Sequence, residues 1–260
     1  MATDLDGTLL NSQGTLSAYS RSTLGALDEA GFAVTIMTAR PLRDVVTLDG
    51  LPDRALLACG NGTLIHDRFS GVDLHRNYMP ARDVEMIIDI LRRIAPEVRL
   101  GGELNPELFL EDGFLLPDSA EPPTETAQHL ETVLGGPGLA KLIVQLPGRA
   151  TDYLRTLCSR LPTKFEVTCS SEWFCEITAS GANKAEALEL VSLTRGCTAR
   201  NVIAFGDMPN DIPMLRWAGT SVAVANAHAS LLAVADHITS SNDDDGVASF
   251  LDEKLINHSA

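Results

Sequence analysis

Three short polar clusters carry the residue types that chemistry needs: Asp4-Leu5-Asp6-Gly7-Thr8, Thr38-Ala39-Arg40 and Gly206-Asp207-Met208-Pro209-Asn210-Asp211. Taken alone, two carboxylates two residues apart and followed by Gly read equally as a turn, because Asp and Gly are common turn formers. Taken together the clusters say more. Asp4, Asp6 and Asp207 crowded into one place repel one another unless a cation neutralises them, and hard carboxylate oxygens suit Mg²⁺. A Mg²⁺ held by few carboxylates keeps positions open for water and a phosphate oxygen, so phosphoryl transfer is the chemistry indicated. That chemistry also needs donors and positive charge on the remaining phosphate oxygens. Thr38 offers a hydroxyl and an amide, and Lys184 a point charge. Taken singly, Thr38 is only a strand-end residue and Lys184 an exposed helix lysine. Asn61-Gly62 reads first as the turn of a hairpin.

The elements that must position these residues alternate. Residues 17–31 read as a helix with an N-cap candidate, apolar Leu24 and Leu27 on one face, and a closing Gly. Residues 32–37 and 55–59 are apolar runs, with a short helix opened by Pro41 between them. The same grammar returns late in the chain, with helices at 183–194 and around 213–217 and strands at 201–205 and 221–224. Unbroken apolar strands alternating with helices imply a parallel sheet covered on both faces, whose ligand crevice lies beyond the carboxyl ends of the strands. All three clusters would meet there.

The middle of the chain reads differently. From Ala81 the spacing of Val84, Ile87, Ile88, Leu91 and Ile94 gives an amphipathic helix. Pro/Gly-rich breaks follow at 121–124 and 135–138, then strands at 141–146, 165–169 and 173–178 and a helix near 151–161. These strands are expected to pair through short turns, as in an α+β unit. The expected organisation is therefore an α/β core built from residues 1–78 and 181–260, with an α+β domain at 79–180 inserted in it. The acidic run at 243–245 reads as a solvated loop.

Composition narrows the function. The 260 residues carry 35 Asp and Glu against 20 Lys and Arg, a formal charge of −15, which disfavours nucleic acid and anionic bilayers as partners. No apolar run approaches the roughly 18 residues that span a bilayer, and Asp4 and Asp6 stand where a signal peptide would be basic and then apolar. The expected location is the cytoplasm. The five cysteines are odd in number with no CxxC pair, so reduced, mostly buried thiols are expected.

In order and spacing, Asp4-Leu5-Asp6-Gly7-Thr8-Leu9-Leu10, Thr38-Ala39-Arg40-Pro41, Ala182-Asn183-Lys184 and the run from Gly206 to Leu215 resemble the four motifs of the haloacid dehalogenase superfamily of phosphohydrolases. The insert is similar to that superfamily's type IIB cap, and the last motif to the Cof-like sugar-phosphatase group. The resemblance covers essentially the whole chain. It implies a Rossmann-like parallel core with an inserted cap, Asp4 as a nucleophile that forms an aspartyl phosphate, and Asp6 as general acid and then base. It further implies that Thr38 and Lys184 bind the transferring phosphoryl group, that Asp4, Asp207 and the backbone carbonyl of Asp6 hold Mg²⁺, and that Asn210 and Asp211 orient metal water and Lys184 from behind. Arg40, Asn61, Gly62 and Asn210 are expected near the substrate. Family members usually carry about half a dozen residues before the nucleophile, filling a first strand of ordinary length. Only three stand here, so a start codon assigned too late is favoured over a truncated strand.

Substrate choice is expected to reside in the insert, where nine Lys and Arg against 16 Asp and Glu offer no bed for a polyphosphate. Glu172 and Trp173 would suit a sugar, although Trp173 reads more readily as core. The expected function is a Mg²⁺-dependent phosphatase of small phosphorylated metabolites, sugar phosphates first, acting as monomer or homodimer. A phosphosugar mutase and a non-catalytic ligand sensor are the alternatives.

Overall fold

The computed structural model describes residues 1–104, 106–115, 125–127, 129–132, 138–149, 151–168 and 174–256. Its chain opens with strand β1 (Ala2–Thr3), helix α1 (Ala18–Glu29), β2 (Thr35–Met37), α2 (Leu42–Val46), β3 (Leu56–Cys59), β4 (Leu64–Asp67) and β5 (Val72–Arg76). There follow α3 (Ala81–Ile94), β6 (Arg99–Glu103), β7 (Leu108–Glu111), β8 (Glu125–Ala127), β9 (Lys141–Gln145), α4 (Thr151–Cys158), β10 (Phe165–Thr168) and β11 (Cys175–Ala179). The last stretch holds α5 (Lys184–Thr194), β12 (Ile203–Gly206), α6 (Ile212–Trp217), β13 (Thr220–Ala223), α7 (Ala229–Leu232), β14 (His237–Ile238) and α8 (Gly246–Leu251). Two compact units result, Met1–His75 with Asn183–Ala260, and Arg76–Ala182. The sequence reading set these divisions after residues 78 and 180.

The first unit is an eight-stranded sheet in the order β14-β13-β12-β1-β2-β3-β4-β5. From β14 to β3 neighbouring strands are parallel, and β1 lies between β2 and β12 with Thr3 opposite Ile36 and Phe205. Strand order reverses at β1, which is where a doubly wound sheet opens a crevice at its carboxyl edge. The inner strands are covered on both faces, with Ile36, Leu57, Phe205 and Val222 fully buried, whereas the edge strands β5 and β14 are largely exposed. Ser17 caps α1 by accepting from Ser20 N, 2.9 Å, as its place before the apolar stripe leads one to expect.

The hairpin expected at Asn61-Gly62 is present and gives the parallel sheet an antiparallel edge, β3 turning back into β4 through Gly60, Asn61 and Gly62. Too few residues intervene for a crossover helix, and positive φ at all three closes the turn. Three other expectations need correcting. In the second unit the sheet order is β10-β11-β9-β6-β7-β8, so β9 and β10 flank β11 and α4 crosses between them. Short turns alone cannot build it, because the apolar stripe of α4, with Leu154, Leu157 and Cys158, has to be buried on the sheet. The acidic run is not merely solvated: Asp245 accepts from the hydroxyls of Ser17 and Ser20 at 2.6 and 2.8 Å, and Asp243 from Ser12 N at 2.7 Å. Finally, Cys59, Cys158 and Cys197 are free thiols but Cys175 is disulfide-bonded. Glu172, Trp173, Cys169 and the break at 121–124 lie outside the described residues. No described helix is long and apolar enough to cross a membrane.

Candidate active site

Parallel register delivers the clusters to one edge. Asp4 follows β1 and is tied by its N–H to Phe205 O, 3.0 Å, while Thr38 follows β2 and donates from its N–H to Ala58 O, 2.9 Å. Asp207 follows β12, beside β1. The chain from Leu5 to Leu9 then coils tightly enough that Leu10 N reaches Leu5 O at 2.9 Å. Gly7 makes this possible at φ 74°, and a Cβ there would stand 2.5 Å from Asp207 Oδ2. The backbone must pass that close for the two motifs to meet.

Asp4, Asp207 and Asp211, all buried, each present a carboxylate oxygen within 4.8 Å of the others. Lys184 stands between two of them. Its ammonium contacts Asp4 Oδ1 and donates to Asp211 Oδ1 at 2.6 Å. Only 1 % of Lys184 is exposed, which corrects the picture of a solvated helix lysine: the first residue of α5 points into the acids. Asn183 sets that start by accepting from Ala185 N and Glu186 N at 3.1 and 3.0 Å. Asp211 uses its second oxygen on the N–H groups of Asp207 and Met208, at 3.1 and 3.0 Å.

Burial pushes the Asp4 carboxyl up to about 7, with Lys184 holding it down and the charges of Asp211 and Asp207 adding to the rise. Asp207 is raised by burial too, against the hydroxyl of Thr8, which donates to its Oδ1 at 2.9 Å. Burial alone would lower Lys184, but Asp4 and Asp211 together outweigh it and hold the ammonium above its ordinary range. Buried carboxylates raised by desolvation and by one another are short of positive charge. The donor set, all hard oxygen, fits Mg²⁺. Asp4 and Asp207 are the side chains best placed to hold it, since Asp211 has one oxygen on Lys184 and the other on two amides.

The other expected residues distribute themselves around this centre. Thr38 is buried and its Oγ1 accepts from Arg40 N at 3.0 Å, which leaves the hydroxyl hydrogen for another acceptor. Asp6 turns away from the acid cluster and is half exposed, with Arg40 Nε donating to its Oδ2 at 2.8 Å and Nη2 contacting its Oδ1. Asn210 does not reach Lys184, whose partners are Asp4 and Asp211; its Nδ2 donates to Asn61 Oδ1 at 3.3 Å. Asn61 holds φ 56° and its N–H donates to Thr38 O at 2.8 Å, so the hairpin turn and the strand-end loop are one piece. Gly62 serves packing, because a Cβ there would stand 2.8 Å from Asn183 O.

Sequence reasoning missed Thr8, Gly206, Asn226 and Asn242. A Cβ on Gly206 would meet Asp211 Cβ at 2.6 Å. Asn226 Nδ2 donates to Gly7 O at 2.8 Å while its Oδ1 accepts from Asn242 N at 2.9 Å, and Asn242 Nδ2 donates to Leu10 O at 2.9 Å. The coil after β1 is thereby clamped from the far end of the chain. Thr8 carried a signal, being inside the first motif; the two asparagines carried none. A cavity of about 720 Å³ at the amino end of β1, lined by Met1, Asp28, Arg54 and Arg195 among others, is touched by none of Asp4, Asp207 and Asp211.

The chain is 30% identical to the 5-amino-6-(5-phospho-D-ribitylamino)uracil phosphatase YwtE of Bacillus subtilis, over 98% of this chain and 97% of that protein. It is 27% identical to the pyridoxal phosphate phosphatase YbhA of Escherichia coli, over 98% of each. A crystal structure of a haloacid dehalogenase-like hydrolase from Bacteroides thetaiotaomicron superposes with a TM-score of 0.80 at 26% identity, over 97% of each chain. The sequence profile of that same hydrolase family matches residues 1–251, a stretch that contains both segments of the sheet and every acid of the cluster. This chain belongs to the haloacid dehalogenase-like hydrolase family.

Proposed function

We propose that the protein is a Mg²⁺-dependent phosphatase of small phosphate monoesters, sugar phosphates among them, working through an aspartyl phosphate on Asp4. The observation that carries this reading is the Asp4 carboxylate itself, held at the end of β1 by a fully buried ammonium and facing two further acids. A carboxylate so fixed has lost little freedom when it attacks phosphorus, and proximity of this kind lowers barriers. Lys184 spreads positive charge toward the transferring group, and the free hydrogen of Thr38 Oγ1 can donate to one of its oxygens.

Asp4, Asp207 and the Asp6 carbonyl would hold the cation, which supplies the positive charge that lets an anionic nucleophile approach an anionic phosphate. Attack by Asp4 on phosphorus expels an alkoxide, which takes a proton from Asp6. Asp6 then removes a proton from the water that cleaves the aspartyl phosphate. Relatives named as phosphatases of a ribitylamino phosphate and of pyridoxal phosphate support small phosphorylated metabolites as the class. The excess of acids in the insert argues the same way, since a polyphosphate would be repelled.

A phosphate-release screen over about a hundred monoesters, with Mg²⁺ and with excess chelator, tests the reading, since fold alone cannot name the substrate. Release from a subset of esters, lost in chelator and in Asp4→Asn, is expected. Release that survives either change overturns it.

A further inference from the structure

Arg40 and Asp6 form an ion pair that the reaction cannot leave in place. Both oxygens of Asp6 face the guanidinium, Oδ2 accepting from Nε at 2.8 Å and Oδ1 in contact with Nη2. To protonate a leaving oxygen Asp6 must first take up a proton from solvent on one of its oxygens, and while both are turned to the guanidinium neither is directed at a leaving oxygen or a water. Asp6 must therefore part from Arg40 before it can move a proton. The pair is built for parting. Side-chain exposure is 29 % for Arg40 and 52 % for Asp6, and exposed ion pairs are weak. Lys184, by contrast, is pinned between two acids at 1 % exposure and cannot change partners.

The backbone of Arg40 is fixed while its side chain is not. Its N–H donates to Thr38 Oγ1 at 3.0 Å and its carbonyl accepts from Gly60 N at 2.9 Å. The guanidinium thus hangs from a rigid loop beside the residue that the preceding reading assigns to phosphate. A phosphate dianion offers it a bidentate partner of higher charge than a carboxylate.

We propose that Arg40 is a positioning residue that exchanges partners: it holds Asp6 in the phosphate-free protein, and an arriving phosphate takes the guanidinium and releases Asp6. The proposal rests on the phosphatase reading and adds to it an order of events, in which Asp6 becomes available only once a phosphate is bound.

Binding of inorganic phosphate to the full chain with Mg²⁺, by titration calorimetry, tests it in a double-mutant cycle. The four proteins are wild type, Asp6→Ala, Arg40→Ala and the double variant, with Asp6→Asn and Arg40→Gln as replacements should either alanine variant fail to fold. Asp6→Ala should tighten phosphate binding about two- to fivefold, the ratio that corresponds to an exposed ion pair no longer competing. Arg40→Ala should weaken binding, and in its background removal of Asp6 should change nothing. An equal gain in both backgrounds would mean that Asp6 acts only as a repelling charge, and no gain in either would mean that no exchange occurs; each overturns the proposal. Competitive inhibition of wild-type turnover by phosphate keeps the two claims apart. With inhibition but no coupling, the exchange falls and the phosphatase reading stands; with neither phosphate binding nor turnover, both fall.

Discussion

Replacing Asp211 with Asn disturbs two sets of buried contacts at once. The residue is fully buried, with one oxygen on Lys184 at 2.6 Å and the other on the N–H groups of Asp207 and Met208. Asp211→Asn keeps the shape but exchanges one acceptor for a donor. If the amide oxygen stays with the two N–H groups, the amide NH₂ faces a buried ammonium; if it turns, two buried N–H groups lose their partner. Breaking a buried pair costs about 3–5 kcal/mol, and each orphaned donor about 1–3. Because Lys184 keeps Asp4, the lower end applies, and a loss of about 2–3 kcal/mol is expected. That is a large part of the roughly 5–15 kcal/mol that holds a domain together. The chain has two tryptophans, so in a Trp173→Phe background the fluorescence of Trp217, on α6, reports on the first unit alone during urea unfolding. A loss below about 0.5 kcal/mol would refute the claim that Asp211 is what holds Lys184 and the β12 loop, since that is the range of neutral surface changes.

Gly7→Ala should cost more than a surface glycine change, because it combines φ 74° with a Cβ 2.5 Å from Asp207 Oδ2. Gly14, at φ 73° with nothing within 4 Å, is the control: Gly14→Ala should lower the melting temperature less and leave Mg²⁺ binding intact, and equal effects would show that the close approach is irrelevant. Asp4 and Asp207 are both raised by burial, Asp4 to about 7 from 3.8. The folded chain then binds more protons than the unfolded one, so Asp4 withdraws stability as pH rises from about 4 to about 7 and Asp207 acts in the same direction. Metal ligation needs both ionised, so the rise in melting temperature on adding Mg²⁺ should be larger near pH 8 than near pH 5. A Mg²⁺ effect independent of pH would remove both from the metal site.

The parts of this molecule that a local pattern can encode were legible in the sequence. Ser17 and Asn183 announce helix starts, the apolar runs around Ile36, Leu57 and Phe205 announce parallel strands, and the acids that follow them announce a crevice. What was not legible depends on distance along the chain. Lys184 meets Asp4 across 180 residues and Asn226 meets Gly7 across 219, so no window of sequence could show that the lysine is buried or the asparagine a clamp. The run at 243–245 looked like a solvated loop for the same reason, because its hydroxyl partners Ser17 and Ser20 stand at the other end of the chain. The crossover of α4 was missed because its apolar stripe specifies that a face is buried, not which strands the connection passes.

The central claim is that Asp4 carries the phosphoryl group during turnover. Its most direct test is rapid acid quench of the enzyme with Mg²⁺ and a ³²P-labelled ester that the screen shows to be turned over, followed by peptide mapping by mass spectrometry and release of label by hydroxylamine. Asp6→Asn should accumulate the intermediate, since the base that activates water is lost. Hydroxylamine-sensitive label on Asp4 is expected, approaching one equivalent in Asp6→Asn and absent from Asp4→Asn. Turnover without any label on Asp4, or label on another residue, would contradict it.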